Sequence, residues 1–410
     1  MTHLSHRRVI GAAISALLIN AGAASADETT NPKWMSAPSV SGDGWDMKVS
    51  GRVQFDYNRA DADNAAGFDL GDTEWRRVRL AISGKLGSTV SYKAELNTDS
   101  SGEVDVTDIF IQFAPKGSAF KLKAGQFKTP NSLDGQTSSR FTSTLERAGF
   151  TQAFQFNRRL GIGTSTKGDD YTLTAGLFAG NLNDDAADQG FVAAGRATYT
   201  PMNTGDQLIH LGASVRYREQ GDEEGLIRYR QRPYAHIPGR IISTGRVATE
   251  DTFIGLEAAA ILGSVWTSAE YGKSFANDPS QGSDPEVEGG YVEAGIFFGG
   301  KKGYKGGKFD RPAVDRPVGS GGYGAISIIA RYDVVDLNGN GAGGGQLDTF
   351  IAGVDWWPTR HTRFGVNLFD ADATLGTSTS GLDSNFAALV TAGVPSEKVQ
   401  GLTARLQFDF

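Results

Sequence analysis

At 410 residues, with 40 Lys and Arg against 47 Asp and Glu, the chain carries a formal charge of −7, a balance that argues against nucleic acid as a partner. Its 39% hydrophobic content and mean hydropathy of −0.30 are too polar for helical membrane spans, although a β-barrel conceals its apolar residues at every second position. With no cysteine, neither a disulfide framework nor thiol chemistry is available.

At the N-terminus, Arg7 and Arg8 precede an apolar stretch over residues 9–23, and Ala24-Ser25-Ala26 offers the small-x-small pattern that a signal peptidase cuts. Residues 1–26 are therefore expected to be a signal peptide, and the mature chain is expected to begin near Asp27. No other segment approaches the roughly 18 apolar residues of a membrane helix. Residues 27–44 form a short segment without heptads, so no coiled coil is expected there. Residues 45–410 are expected to form one domain.

Alternation starts at once in that domain. Trp45, Met47, Val49, Val53, Phe55 and Tyr57 share one strand face, and Lys48, Ser50, Arg52, Gln54, Asp56 and Asn58 share the other. Such a strand suits a wall between lipid and an aqueous lumen. Val78, Leu80, Ile82 and Leu86 repeat the pattern against Arg77, Arg79, Ser83 and Lys85. Gly87-Ser88 then turns the chain, and Val90, Tyr92, Ala94 and Leu96 oppose Ser91, Lys93, Glu95 and Asn97, which predicts a hairpin. Lys121 and Lys123 fall on the lumen side of their strand. Further on, Ile209, Leu211, Ala213, Val215 and Tyr217 alternate with His210, Ser214, Arg216 and Arg218. Phe364, Val366 and Leu368 alternate with Arg363, Gly365 and Asn367. No helical period stands out in the mature chain.

Short links at residues 115–118, 201–204 and 358–361 predict periplasmic turns. Residues 129–157, 219–250, 272–289, 299–322, 336–347 and 372–396 predict long external loops. Sixteen strands of about ten residues each fit the length, and eighteen also fit. A secreted sandwich or solenoid would alternate too, but its outer face should be polar, and the polar face here holds too many Arg and Lys to form a core. The fold class expected is all-β, a transmembrane antiparallel β-barrel with one or more loops folded into the lumen. The last nine residues place Leu402, Ala404, Leu406, Phe408 and Phe410 on even positions with polar residues between, apart from Gly401 before them. Chains ending on such a terminal Phe resemble bacterial outer-membrane barrels, which implies that the assembly machinery reads Phe410.

A family resemblance rests on an ordered set of short motifs. Residues 291–304, from Tyr291-Val292-Glu293-Ala294-Gly295 to Lys301-Lys302-Gly303-Tyr304, are followed by Lys308-Phe309-Asp310-Arg311, Ala330-Arg331-Tyr332 and Val354-Asp355-Trp356-Trp357. Arg76-Arg77-Val78-Arg79-Leu80, Gly125-Gln126-Phe127-Lys128-Thr129-Pro130 and Glu146-Arg147-Ala148 precede them. Together these resemble the phosphate-selective porin O/P family. The resemblance implies a sixteen-stranded, homotrimeric outer-membrane porin that passes phosphate, pyrophosphate or related anions.

Candidate anion-binding residues follow from the bases and from the resemblance. Arg228-Tyr229-Arg230-Gln231-Arg232, with Arg216 and Arg218 upstream, puts three guanidinium groups on one strand face, a ladder along which forked donors can replace an oxyanion's hydration. The other reading is a solvated basic edge neutralised by Glu219, Asp222, Glu223 and Glu224. Arg77, Arg79, Lys121 and Lys123 extend the lining, and Arg331 and Arg405 fall on the same face. Ser138, Ser139, Arg140 and Arg147, with Asp108 on the adjoining wall, resemble the family's constriction residues; an ordinary polar loop is the alternative. Where family members carry a lysine just before the Ser pair, this chain has Asp134-Gly135-Gln136. Lys301, Lys302, Lys305 and Lys308 form a second basic cluster in a glycine-rich loop, where bases either concentrate anions at a pore mouth or are simply solvated.

Other chemistries find little support. Asp336-Leu337-Asn338-Gly339-Asn340-Gly341 begins like a calcium loop, but Leu347 stands where a bidentate Glu is needed. His210, His236 and His361 show no zinc spacing, and no nucleophile motif is present. The expectation is a non-enzymatic channel without metal or cofactor in the outer membrane, in contact with lipid bilayer and lipopolysaccharide. The alternatives are a weakly selective general diffusion porin or a structural or adhesive barrel.

Overall fold

Side chains of opposite character at successive positions can all be satisfied only by a wall with hydrocarbon on one side and water or polar groups on the other. The computed structural model describes residues 37–65, 68–184, 190–221, 225–277 and 284–410. The expected signal peptide lies outside them, as do residues 27–36.

A short strand β1 (Ser39–Gly42) leads into β2 (Trp45–Ala62), and up-and-down hairpins follow. They are β3 (Asp69–Leu86), β4 (Val90–Thr98), β5 (Val104–Phe113), β6 (Phe120–Lys128), β7 (Arg158–Lys167), β8 (Tyr171–Phe178), β9 (Phe191–Asn203) and β10 (Gln207–Glu219). Two-residue strands β11 (Arg230–Gln231) and β12 (Ile242–Ser243) pair with each other inside the next loop. The wall resumes with β13 (Glu250–Leu262), β14 (Val265–Asn277) and β15 (Glu286–Phe298). A separate hairpin, β16 (Gly300–Tyr304) and β17 (Phe309–Val314), intervenes before β18 (Ala325–Gly339), β19 (Gly345–Thr359), β20 (Thr362–Leu375) and β21 (Ser396–Asp409). β21 returns to pair with β2, Asp409 opposite Arg52 and Val399 opposite Ala62. Gly51 and Phe410 exchange both backbone hydrogen bonds at 3.1 Å. Sixteen strands thereby close into an antiparallel barrel, so that each barrel strand has a partner on both sides.

The two faces separate as the alternation requires. On β20, Leu368 is 58% exposed on the outer surface while its neighbour Asn367 is fully buried within. On β21, Leu406 and Phe408 face outward and Thr403, Arg405, Gln407 and Asp409 face inward, all four buried.

Three expectations are corrected. β15 ends at Phe298, on the side of the short turns at residues 204–206, 263–264 and 360–361, so the link 299–324 lies on the periplasmic side and is not an external loop. Its hairpin then turns up into the lumen. Pairing of β18 and β19 from Ala325↔Trp357 to Asp336↔Gln346 leaves only residues 340–344 to join them, where a long loop was expected over 336–347. Short helices also occur, Leu133–Gln136, Gly149–Ala153 and Ser384–Thr391, each too brief to show a helical period in sequence.

Inward-folded segments give the lumen its own core. Phe150, Phe154, Tyr229, Ile241, Ile242 and Phe386 from three loops pack against Val335, Leu347, Ile351 and Phe369 of the wall. Lower down, Phe141 and Phe309 meet Trp266, Phe297 and Trp357. The barrel is therefore filled along β13–β21 and open beside β2–β7.

Candidate functional site

Residues 129–157 leave β6 and fold into the barrel, and their backbone must be satisfied there without bulk water. Wall side chains supply the partners. Arg405 donates to the Leu145 carbonyl at 2.5 Å, Arg363 to the carbonyls of Thr142 and Ser143 at 3.1 and 3.0 Å, and Arg216 to that of Phe154 at 2.6 Å. Gln54 and Gln407 donate to the carbonyls of Ser139 and Arg140. Glu270 accepts from the backbone N–H of Leu133 and Asp134 at 2.8 and 2.6 Å. From below, Lys302 on the β16–β17 hairpin donates to Phe141 O and Ser143 Oγ. Glu146 receives both arms of Arg76 at 2.9 Å and Arg405 Nη2 at 2.7 Å. Burial raises the Glu146 carboxyl, but Arg76, Arg405 and Arg77 outweigh burial and hold it well below the usual range.

Between this loop and strands β2–β7 lies a cavity of about 880 Å³, lined by thirteen Arg and Lys side chains and only four carboxylates. Arg52 donates to Ser139 Oγ at 2.7 Å. Arg79 bonds Asn97 and Glu95, and Asp108 is held by Lys93 at 2.6 Å and Arg158 at 2.7 Å. Lys128 donates to Gly135 O at 2.5 Å. Arg240, from the loop 220–249, has Nε and Nη1 buried without a hydrogen-bond partner among the described residues. Burial, with Arg232, Arg230 and Arg228 nearby, pushes its pKa down to about 9. A base disfavoured by burial and by other bases is a place where a passing anion lowers the energy.

Asp108, Ser138, Ser139, Arg140, Arg147, Arg77, Arg79, Lys123 and Arg230 all come together around this cavity. Arg140 also reaches Asp409 at 3.1 Å, and Arg147 turns back on its own loop, bonding the carbonyls of Asp134 and Thr137. Five expected pore-lining bases lie elsewhere. Arg216 and Arg218 clamp the buried Asp251 at 3.0 and 2.6 Å, so their charge is answered inside the wall. Lys121 is exposed near the periplasmic end of β6. Arg228 packs over Gly381, and Arg232 is half-buried near Glu146 and Glu74. Over 228–232 Tyr229 and Gln231 are buried while Arg228, Arg230 and Arg232 between and beside them are half-buried, and of these three bases Arg230 lines the cavity. Arg331 and Arg405 likewise face Glu293 and Asp56, both at 2.6 Å.

Arg76 and Arg158 are lining residues that the sequence reading does not place there. Arg76 turns inward because the pairing slips by one residue between Gln54↔Arg77 and Phe55↔Trp75, and such a bulge leaves no mark in the polar-apolar pattern. Arg158 opens β7 directly after the inward loop, where alternation has not yet begun.

A closed sixteen-strand barrel with an apolar exterior and a lumen narrowed by an inward loop is an outer-membrane porin. The description "Phosphate-selective porin O and P" matches residues 47–410, and the chain belongs to that family. An uncharacterized protein of Caulobacter vibrioides is 33% identical over 405 aligned residues, covering 94% of this chain and 78% of the relative. Porin O of Pseudomonas aeruginosa is 25% identical over 362, covering 80% of each. Among solved structures, the anion-selective porin from Comamonas acidovorans superposes with a TM-score of 0.58 at 13% identity, covering 89% of this chain and all of that one. The outer-membrane channel DcaP of Acinetobacter baumannii gives a TM-score of 0.53 at 14% identity, covering 90% of this chain and 99% of that one. At such identities the likeness is one of fold.

Proposed function

We propose that this porin is a passive, anion-preferring channel for phosphate, pyrophosphate and related oxyanions. The observation that carries the reading is the excess of bases over carboxylates around the cavity. Several guanidinium groups in sequence can exchange an oxyanion's hydration for forked hydrogen bonds without any one site holding it too tightly to leave. Ser138 and Ser139 add hydroxyls at the same place. The departure at Asp134-Gly135-Gln136 weighs less than its sequence suggests. The Asp134 carboxylate is buried within its own loop, accepting from Ala148 N and Thr151 Oγ1, and the Lys128 ammonium sits against Gly135.

The reading includes export through residues 1–26, insertion aided by Phe410, a lipopolysaccharide-containing bilayer around the barrel, and a homotrimer, the last supported by family membership and by the trimer form of Vibrio cholerae OmpT, a fold neighbour. Planar-bilayer recording tests the function. In a potassium chloride gradient the reversal potential should lie toward that of chloride, and added phosphate or pyrophosphate should block chloride current. A potential on the potassium side ends the anion reading; chloride preference with no block by either oxyanion leaves a general anion pore.

A further inference from the structure

We propose that the channel also takes organic anions that carry a ring, aryl carboxylates or aryl phosphates, through an apolar strip set into its cationic lining. This rests on the anion-channel reading above and narrows its substrate class.

Phe110 and Phe127, from β5 and β6, line the same cavity as the bases. A path for small hydrated ions has no use for phenyl surface, since water beside a ring gains nothing and an inorganic anion finds no donor there. The rings are also held in place. Phe127 meets Phe178 edge-on at 5.1 Å, and Phe110 meets Phe127 at 6.4 Å. The wall behind is thinned to seat them: a Cβ on Gly163 would come within 3.0 Å of the Phe127 ring, and one on Gly161 within 2.7 Å of Phe178. Phe178 is buried behind this strip and Phe127 keeps 8% of its surface, whereas Phe110 is half-exposed and offers most of the ring surface.

Charge lies beside this strip. Lys123 Nζ stands 4.3 Å from the Phe110 centroid and 5.0 Å from that of Phe127. An aryl anion can thus pair its head with the ammonium and lay its ring against phenyl edges, the arrangement aromatic pairs favour. Inorganic phosphate can use only the first contact.

The test compares phenylphosphate with inorganic phosphate as blockers of chloride current through the native protein in planar bilayers, at about pH 8, where both are close to dianionic. Phenylphosphate should reach half-block at about fivefold lower concentration, ~1 kcal/mol on a scale of tenfold per 1.4 kcal/mol. In Phe110→Ala and Phe127→Ala the ratio should fall to about one. Equal or weaker block by phenylphosphate in the native protein overturns the proposal, whatever the variants do. The reversal potential measured in the same bilayers reports separately on anion preference, so a chloride-side potential with no phenyl advantage removes this inference alone.

Discussion

A guanidinium inside a barrel must be answered where it stands, and Arg405 is answered three times, by Asp56 at 2.7 and 2.6 Å, by Glu146 and by the Leu145 carbonyl. Its substitution by Met would leave Asp56 and Glu146 short of a partner in a buried setting. A destabilisation of about 3–5 kcal/mol is expected, read as a lower unfolding midpoint in detergent. Arg140 is different. Its side chain keeps 27% of its exposure and shares Asp409 with Arg311, so Arg140→Ala should leave stability nearly intact while lowering the chloride-to-potassium permeability ratio by about two- to threefold, the weight of one partly screened charge. An unchanged ratio would place the throat elsewhere. Glu146 sets the acid limit. Its pKa is depressed, so its contribution is fully present above the ordinary glutamate value of about 4.3 and is lost only as pH falls through its lower folded value. Conductance should therefore stay level from neutral pH down to about 4 and change only below that; a step near pH 6 would contradict the assignment.

At the scale of elements, two segments meet inside the barrel from opposite ends. The loop 129–157 descends, the β16–β17 hairpin rises, and Lys302 bonds Phe141 and Ser143 where they touch. Tyr304 continues the contact with the wall through His210 at 2.7 Å, and Gly307 O accepts from Arg196. Replacing residues 301–313 by a short Gly-Ser turn should remove the lower support and roughly double single-channel conductance, as expected when a constriction widens. Conductance at the native level would mean that the upper loop alone sets the throat. The strands were legible because one face is lipid-exposed over every turn of the pattern, as at Val53, Phe55, Leu406 and Phe408. The hairpin's side was not. Lys301, Lys302, Lys305 and Lys308 read as a loop cluster that either concentrates anions at a pore mouth or is solvated, yet Lys302 is buried and stacked over Trp266 and Phe309, and only counting strands reveals at which end the link emerges. Likewise Arg216, Arg218, Arg331 and Arg405 were placed on the inner face by alternation. Alternation carries no information on whether an inner residue meets water or a carboxylate from a distant strand.

For the molecule as a whole, the sign of the net charge and the sign of the passage are opposite. The full chain sums to −7, while the cavity gathers thirteen bases with four acids, so the acids must concentrate elsewhere. Several do so on the outer wall as partners of tyrosines and lysines, among them Glu250 with Tyr217, Glu288 with Tyr271, Asp348 with Tyr332 and Asp370 with Lys398. This segregation makes two sources of anion preference separable. One is the long-range field of the basic wall, which acts through water and fades with salt; the other is direct coordination at the throat, which does not. The Debye length shrinks from about 30 Å at 0.01 M to about 3 Å at 1 M, shorter than a cavity of this size is wide. If the field dominates, the chloride-to-potassium permeability ratio should fall several-fold, roughly fivefold or more, between those salt concentrations at a fixed gradient ratio. A ratio that holds steady would instead assign selection to the few donors within bonding distance of the ion, Ser139 and Arg140 foremost. In that case the bases further along the wall serve to fasten the loop.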